Sequence, residues 1–553
     1  MWVFPLLLII PNIALCATER YSAAGCAANI LLPTGVYLLL MSLSRNVGRS
    51  VLLCTPLSIY AAFQIVLLFL YGESIIAIDM FLNVATTNVG EATELLANLG
   101  PAITTVVLLY MPPVVWAAYL VIRHEKAARS ATRNARRAGA CCAGAGLLAV
   151  VLALAADKNY MPQRCLFPLN VIDNTFVAVD RFHTTKSYPN TSAGWRYHAR
   201  GTHADSVAET YVLVVGETCR ADNWQLLGYD RPTNPRLSKR ADSLIVFGRA
   251  LSESNTTHKS VPLMLSPLTA ETFGDSIYHV RSIFEAFREA GYNTAFFSNQ
   301  QHNGSFIDFF GEQADECIFI ADCMEATRSD SALVPMLRDF LKHSESMKNF
   351  VVLHSYGSHF DYRSRYSDEH RVFTPDDNDE ASINNRRQLI NAYDNTIVST
   401  DAFIDDVISV LDSLDISAAM LFVPDHGEDI FDDDRQRFLH ASPAPTYWQI
   451  HVPVVLWTSP EYNTVFPGKI AAARTNRDKD ISSSRAVFDT MLSLSGIRTD
   501  HYRPRRALTE NCYRMEPRMY LNDYNEGVRL EHSGLKSEDF LMLECKRISV
   551  SGQ

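Results

Sequence analysis

Three short apolar runs in this 553-residue chain end in side chains that can hold a metal ion or move a proton. TYVLVVGE ends at Glu217, NFVVLHSYGSH carries His354 and His359, and AAMLFVPDHGE sets Asp425 beside His426. Carboxylate oxygen and imidazole nitrogen are ligand types that zinc takes. A single acid after a strand is ordinarily a helix cap or a solvated loop residue. Asp-His-Gly directly after an apolar strand is a stronger sign, because it puts a carboxylate and an imidazole together at a tight turn. A nucleophile for such a metal should be an alcohol or thiol close by. SESNTTHKSVPLML places Thr256 and Thr257 ahead of a short helix. A hydroxyl there meets free backbone N–H groups and the positive end of the helix dipole, which favour both an alkoxide and a phosphate. Metal coordination would activate it further. The competing reading is that Ser254 or Thr256 only caps the helix, and spacing leaves Thr256 and Thr257 both open.

These residues need elements to carry them. TYVLVVGE, NTAFFSN, NFVVLHS, AAMLFVPD and VPVVLWTS are short, β-branched-rich apolar runs, suited to strands buried on both faces. Between them lie amphipathic stretches such as SIYHVRSIFEAFREAG and QLINAYDNTIVSTDAFIDDVISVLDSL. Strands alternating with helices predict a doubly wound, mostly parallel α/β sheet. Sites in such sheets form just beyond the carboxyl ends of strands, which is where Glu217, His354 and Asp425 fall.

The long apolar runs are concentrated before residue 157. Five segments, at about 2–18, 28–44, 51–71, 101–122 and 139–156, read as membrane helices, a span needing about 20 apolar residues. MWVFPLLLII has no positive start, which argues for an uncleaved anchor rather than a signal peptide. Arg45, Arg49 and the basic run RHEKAARSATRNARR (Arg123 to Arg137) fall on one side if all five segments cross, and the positive-inside rule makes that side cytoplasmic. The loop from about 72 to 100 and everything after 157 then lie outside the cytoplasm. The expected organisation is a transmembrane domain over 1–156 and a second domain over 157–553. A net charge of −11 argues against a nucleic-acid partner. Six of the eleven cysteines follow residue 157, an even number that is weak evidence for an oxidising compartment.

The motifs VVGETCRADNWQLLGYDRPTNP, ESNTTHKSVPLML, VVLHSYGSHFDYRSRY, INAYDNTIVSTDAFIDDVI and FVPDHGEDI…FLHASP, in this order, resemble those of the phosphoethanolamine transferases. These are zinc-dependent membrane enzymes of the alkaline phosphatase superfamily, with sulfatase-like catalytic domains, and some confer polymyxin resistance. The resemblance implies an inner-membrane, multi-pass protein whose catalytic domain faces the periplasm. It implies zinc bound by Glu217, Thr257, Asp425 and His426, with Thr257 rather than Thr256 as nucleophile. It implies His359 and His440 as headgroup-binding residues, His354 being structural, and leaves room for a second zinc ion. In the 72–100 loop, Asn83, Thr87 and Glu91 match a substrate-binding series and would share one helix face. The implied donor is phosphatidylethanolamine and the implied acceptor an envelope glycolipid or glycan, such as lipid A or lipopolysaccharide core. NQQHNGSF and SESN depart from the family's substrate-contacting stretches. Only Cys317 and Cys323 are spaced like one of the family's disulfides, and that bridge is expected to form. Rival readings are a glycerophosphate transferase of the lipoteichoic-acid type and an inactive envelope lipid-binding protein. A sulfatase would need a C-x-P-S-R-like motif, and Cys219-Arg220-Ala221 does not supply it.

Overall fold

The computed structural model describes residues 2–19, 21–71, 78, 100–157, 160–323, 329–378 and 380–550. The chain divides into two compact units, Met1–Phe182 with Asp433–Arg437, and His183–Asp432 with Phe438–Gln553.

In the first unit each of the five apolar segments is helical. α1 (Val3–Leu8) and α2 (Ile10–Thr18) cover the first. α3 (Ala23–Met41) starts earlier than its apolar run, at Ser22, whose hydroxyl accepts from Gly25 N. α4 (Val47–Leu53) and α5 (Thr55–Tyr71) meet at a 53° bend. α6 (Gly100–Ile122) carries Pro112 and Pro113, and α7 (Arg129–Ala156) takes in most of the basic run as well as the expected fifth span. That run is helical because Arg129, Arg133, Arg136 and Arg137 lie exposed while Ala135 and Gly139 are buried. Among the described residues α3, α6 and α7 are long and apolar enough to cross a membrane, and α4 with α5 adds a fourth if the bent pair is one span. The two basic segments meet: Ala127 N donates to Arg45 O at 2.8 Å, and Arg45 Nε donates to Ala127 O at 3.1 Å. α3 and α7 approach through glycines. A Cβ on Gly35 would lie 2.3 Å from Ala143 N, and one on Gly146 would lie 2.4 Å from Leu32 N. Small residues let backbones close in this way, and packing rather than hydrophobicity then holds the pair in lipid.

The second unit is built on an eight-stranded sheet. Its strands are β1 (Glu209–Gly216), β2 (Leu244–Leu251), β3 (Asn293–Ser298), β4 (Glu316–Phe319), β5 (Lys348–His354), β6 (Ser417–Pro424), β7 (His451–Thr458) and β8 (Ile481–Ser482), in the spatial order β8-β2-β7-β6-β1-β5-β3-β4. Seven strands run one way, and β7 pairs antiparallel with both β6 and β2. The sheet is therefore mixed and mostly parallel. Every residue of β1, β5, β6 and β7 is buried. Tyr211, Leu213 and Val215 enter one core layer and Val212 and Val214 the other, so an unbroken apolar run is what a strand between two layers requires. α8 (Thr257–Met264) follows β2, and the 27-residue α9 (Arg386–Asp412) packs on the second layer.

Cys317 corrects the expected disulfide: it is a free thiol on edge strand β4, packed against the first core layer as a small hydrophobe. The Cys323 side chain lies outside the described residues.

Gly35→Ala is expected to lower stability by about 1–3 kcal/mol, the usual cost of overpacking against a backbone that cannot retreat. Gly144→Ala on α7, where a new Cβ meets nothing within 4 Å, should be neutral. Thermal unfolding of the detergent-solubilised full-length protein separates the two, and equal melting temperatures would contradict the close-packing account.

Candidate metal centre

Register brings the first two ligand candidates together. β1 pairs with β6 so that Gly216 faces Pro424, and Glu217 and Asp425 are the next residue on each strand. Asp425 N still donates to Gly216 O at 3.0 Å. Glu217, Asp425 and His426 each offer a ligand atom within 4.8 Å of the others, and all three are buried. His426 Nε2 lies 3.2 Å from Asp425 Oδ2 and 3.7 Å from Glu217 Oε1. Thr257 is the first residue of α8, and its Oγ1 sits 3.3 Å from both Glu217 oxygens and 3.2 Å from His426 Nε2. Thr256 occupies the N-cap position, but its side chain makes no capping bond.

The four groups are oriented from outside. His426 Nδ1 donates to Gly427 O at 2.9 Å, which leaves Nε2 with its lone pair toward the cluster. Asp425 Oδ1 accepts from Thr218 N at 3.0 Å and His426 N at 2.7 Å. Glu217 Oε1 accepts from Thr218 Oγ1 at 2.6 Å, and Oε2 from Gln300 Nε2 at 3.2 Å. Asp425 Oδ2 is buried and, among the described residues, has no hydrogen-bond donor. Among the described residues no Lys or Arg pairs with either carboxylate. Burial, and then the neighbouring Asp425, push the Glu217 carboxyl well above its usual range. Burial pushes Asp425 up to about 6. Burial and the adjacent His440 hold His426 well below an ordinary imidazole, hence neutral. Two buried carboxylates, a neutral imidazole nitrogen and a hydroxyl, with one carboxylate oxygen unsatisfied, form a donor set that fits a divalent cation such as zinc.

The histidines named from the sequence gather at the same place. The His440 ring lies tilted against that of His426 at a centroid distance of 4.3 Å, and His359 meets His440 edge-on at 5.7 Å. His359 Nδ1 donates to Phe360 O at 2.6 Å, and His440 Nδ1 pairs with Glu428 Oε2 at 2.9 Å, so both Nε2 atoms are left for other partners. Burial, with Arg365 and His440, pushes His359 down to about 3. His354 stands one strand end away, its Nδ1 3.0 Å from Ser298 Oγ, and burial pushes it down to about 4. The glycine of YGSH is required twice over: Gly357 has φ +47°, and a Cβ there would lie 2.5 Å from Glu217 O. Asn83, Thr87 and Glu91 lie outside the described residues.

Sequence reading missed several supports. Gln300 lies in the NQQHNGSF stretch that departs from the family's pattern, yet it donates to Glu217 and also to Ser355 O at 2.9 Å. Asp330 accepts from Tyr356 N at 2.7 Å and Gly357 N at 3.0 Å, fixing the turn before His359. Glu428 was visible inside DHGE, but nothing in the string tells that it faces His440, twelve residues on.

The site thus consists of acidic and histidine side chains just past the carboxyl ends of adjacent strands of a mixed, mostly parallel sheet. The chain belongs to the sulfatase family, whose model matches residues 209–497, just over half its length. Residues 35–179 match the model described as phosphoethanolamine transferase EptA/EptB. A 313-residue stretch is 31% identical to phosphoethanolamine transferase EptA of Salmonella typhimurium, covering 55% of this chain and 56% of that protein. The chain thus matches a little over half the length of that curated relative. Its fold is similar to that of the integral membrane protein lipooligosaccharide phosphoethanolamine transferase A (EptA) from Neisseria meningitidis, with a TM-score of 0.73 at 22% identity, over 92% of this chain and 97% of that one. The C-terminal periplasmic domain of EptC from Escherichia coli, solved in complex with Zn, aligns at a TM-score of 0.54 and 21% identity, over 60% of this chain and 94% of that one.

The raised Asp425 carboxyl gives a pH signature in metal-free protein. The folded state holds this proton more tightly than the unfolded chain, whose Asp titrates near 3.8. The associated stability is complete below about pH 4 and is lost as pH rises through about 6. Chelator-treated protein should therefore lose thermal stability over that window, and Asp425→Asn should make the loss shallower, leaving the share due to the similarly raised Glu217. Parallel pH profiles for the two proteins would contradict it.

Proposed function

We propose that this protein transfers phosphoethanolamine from phosphatidylethanolamine to an envelope glycolipid, such as lipid A or lipopolysaccharide core, through a covalent intermediate on Thr257. The observation that carries this reading is the placement of one hydroxyl, Thr257 Oγ1, within 3.3 Å of Glu217 and His426 at the start of a helix. A phosphoryl group attacked there meets backbone N–H groups and the positive helix end. The relatives' names supply the transferred group: the Salmonella protein is a phosphoethanolamine transferase.

Glu217, Asp425, His426 and the Thr257 oxygen would hold one zinc ion, the metal named for the EptC domain. Zinc in this donor set supplies Lewis-acid compensation of phosphoryl charge and a lowered pKa for the hydroxyl. Thr257 Oγ forms a bond to phosphorus as the bond to the diacylglycerol oxygen breaks; the hydroxyl proton is taken up by an imidazole Nε2 of His359 or His440 and passed to that oxygen, and diacylglycerol leaves. His359 Nε2, left with a lone pair because Nδ1 donates to Phe360 O, can accept from the headgroup ammonium or take up a proton, and with His440 Nε2 it could hold a second zinc ion. An acceptor hydroxyl or phosphate oxygen then attacks the same phosphorus and frees Thr257. Lipid substrates require a membrane address. We therefore read residues 1–156 as a five-helix inner-membrane domain with a periplasmic loop at about 72–100, and residues 157–553 as a periplasmic catalytic domain. Asn83, Thr87 and Glu91 would help bind the lipid from that loop. The contact between Arg45 and Ala127 supports one shared, cytoplasmic side for the basic segments.

Incubation with phosphatidylethanolamine and no acceptor should leave phosphoethanolamine on Thr257, detected by peptide mass spectrometry. Thr257→Ala should lose adduct and transfer, Thr256→Ala should keep both, and Thr257→Ser should keep partial activity because it retains the oxygen but not the methyl that restrains the rotamer. An adduct on Thr218, or full transfer by Thr257→Ala, would overturn the mechanism.

A further inference from the structure

Thr218, the residue after Glu217, has φ +54°. That left-handed conformation is costly for a β-branched side chain, whose Cβ is crowded by the backbone. Its one local bond, from the hydroxyl to the adjacent Glu217 carboxylate, does not fix φ, so surrounding structure must impose it. The group positioned to do so is the hydroxyl of Tyr393, which is 175 residues away in sequence. Tyr393 Oη donates to Thr218 O at 2.7 Å and accepts from Arg220 N at 2.9 Å, bridging backbone groups on both sides of Cys219.

Tyr393 can act as a fixed post because it has no freedom of its own. It is fully buried on α9, with its ring edge-on to Tyr362 at 5.2 Å. The neighbouring residues of its helix turn are also tied to loops. Asp394 accepts from Asn223 Nδ2 at 2.7 Å and from Tyr229 Oη at 2.9 Å, Asn395 Oδ1 accepts from Val372 N and Phe373 N, and the Thr396 and Ser358 hydroxyls lie 2.6 Å apart. Ser358 N in turn donates to Glu217 O at 3.0 Å. The turn that Tyr393 holds carries both carboxylates: Thr218 N donates to Asp425 Oδ1 at 3.0 Å, and Thr218 Oγ1 donates to Glu217 Oε1 at 2.6 Å. If Thr218 relaxed to negative φ, its N–H and hydroxyl would leave these oxygens together.

We propose that Tyr393 is a positioning residue for the metal centre. Its hydroxyl clamps the left-handed Thr218 turn, so that Glu217 and Asp425 face one point before an ion arrives. This rests on reading Glu217, Asp425 and His426 as metal ligands. Tyr393→Phe keeps the ring and removes the clamp. It leaves Thr218 O and Arg220 N buried without that partner and frees the turn to relax.

The test is zinc affinity of the full-length protein in detergent, measured by chelator competition, with thermal unfolding recorded alongside. Tyr393→Phe should bind zinc about 10- to 100-fold more weakly, the range for groups that orient ligands. Tyr366→Phe loses a comparably buried hydroxyl, bonded to Asp376 Oδ2 at 2.6 Å away from the turn, and should bind zinc as the wild type does. In a Thr218→Gly background, where glycine adopts positive φ without strain, Tyr393→Phe should cost much less affinity. Wild-type affinity in Tyr393→Phe, an equal loss in Tyr366→Phe, or the same fold-loss in both backgrounds would overturn the clamp. Failure of the wild type itself to bind zinc would overturn the metal reading and the clamp with it, a result distinct from the other three.

Discussion

Two carboxylates buried side by side are the constraint around which the second unit is arranged. In-register pairing of β1 with β6 puts Glu217 next to Asp425, and no Lys or Arg among the described residues pairs with either. Charge removed from water is costly, and a like charge beside it costs more. Such a pair holds protons in the metal-free fold or is compensated by a cation. Every polar group around it fits the second alternative: donors hold Glu217 and the Oδ1 atom of Asp425, the His426 lone pair faces inward, and Asp425 Oδ2 is left without a hydrogen bond.

The rest of the scaffold keeps that arrangement rigid enough to be specific. β1 lies at the centre of the sheet between β6 and β5, with apolar layers on both faces, so its carboxyl end is held by a neighbouring strand on each side and by packing above and below. Gly357 lets the YGSH turn pass against the Glu217 backbone, which brings His359 toward His440 and His426. Thr257 enters from a separate helix after β2, so the proposed nucleophile and the candidate ligands reach the site on different elements. This separation lets the hydroxyl be presented at a helix start without disturbing the strand ends that carry the charges.

Much of this was legible in the string, and the exceptions share a cause. β1, β3, β5, β6 and β7 stand where the five apolar runs predicted strands, because burial on both faces leaves an unbroken apolar signature. Apolar length likewise marked the helices of the first unit, although α3 and α7 begin before their apolar runs, where capping and exposed arginines continue the helix. The reversed direction of β7 was not readable, since an antiparallel strand buried on both faces has the same composition as a parallel one. Tyr393, Gln300 and Asp330 were missed because each acts on backbone or carboxylate groups that only tertiary folding brings near. Cys317 shows the converse error: its spacing from Cys323 suggested a bridge, whereas the half-buried free thiol on β4 packs against the core.

The most direct measurement is the metal content of the purified full-length protein by elemental analysis, for the wild type and for Asp425→Ala. If the paired carboxylates exist to hold a cation, the wild type retains at least about one zinc ion per chain and Asp425→Ala loses about one, because a missing ligand leaves too few donors to hold it. Full zinc content in a folded Asp425→Ala protein would contradict the account.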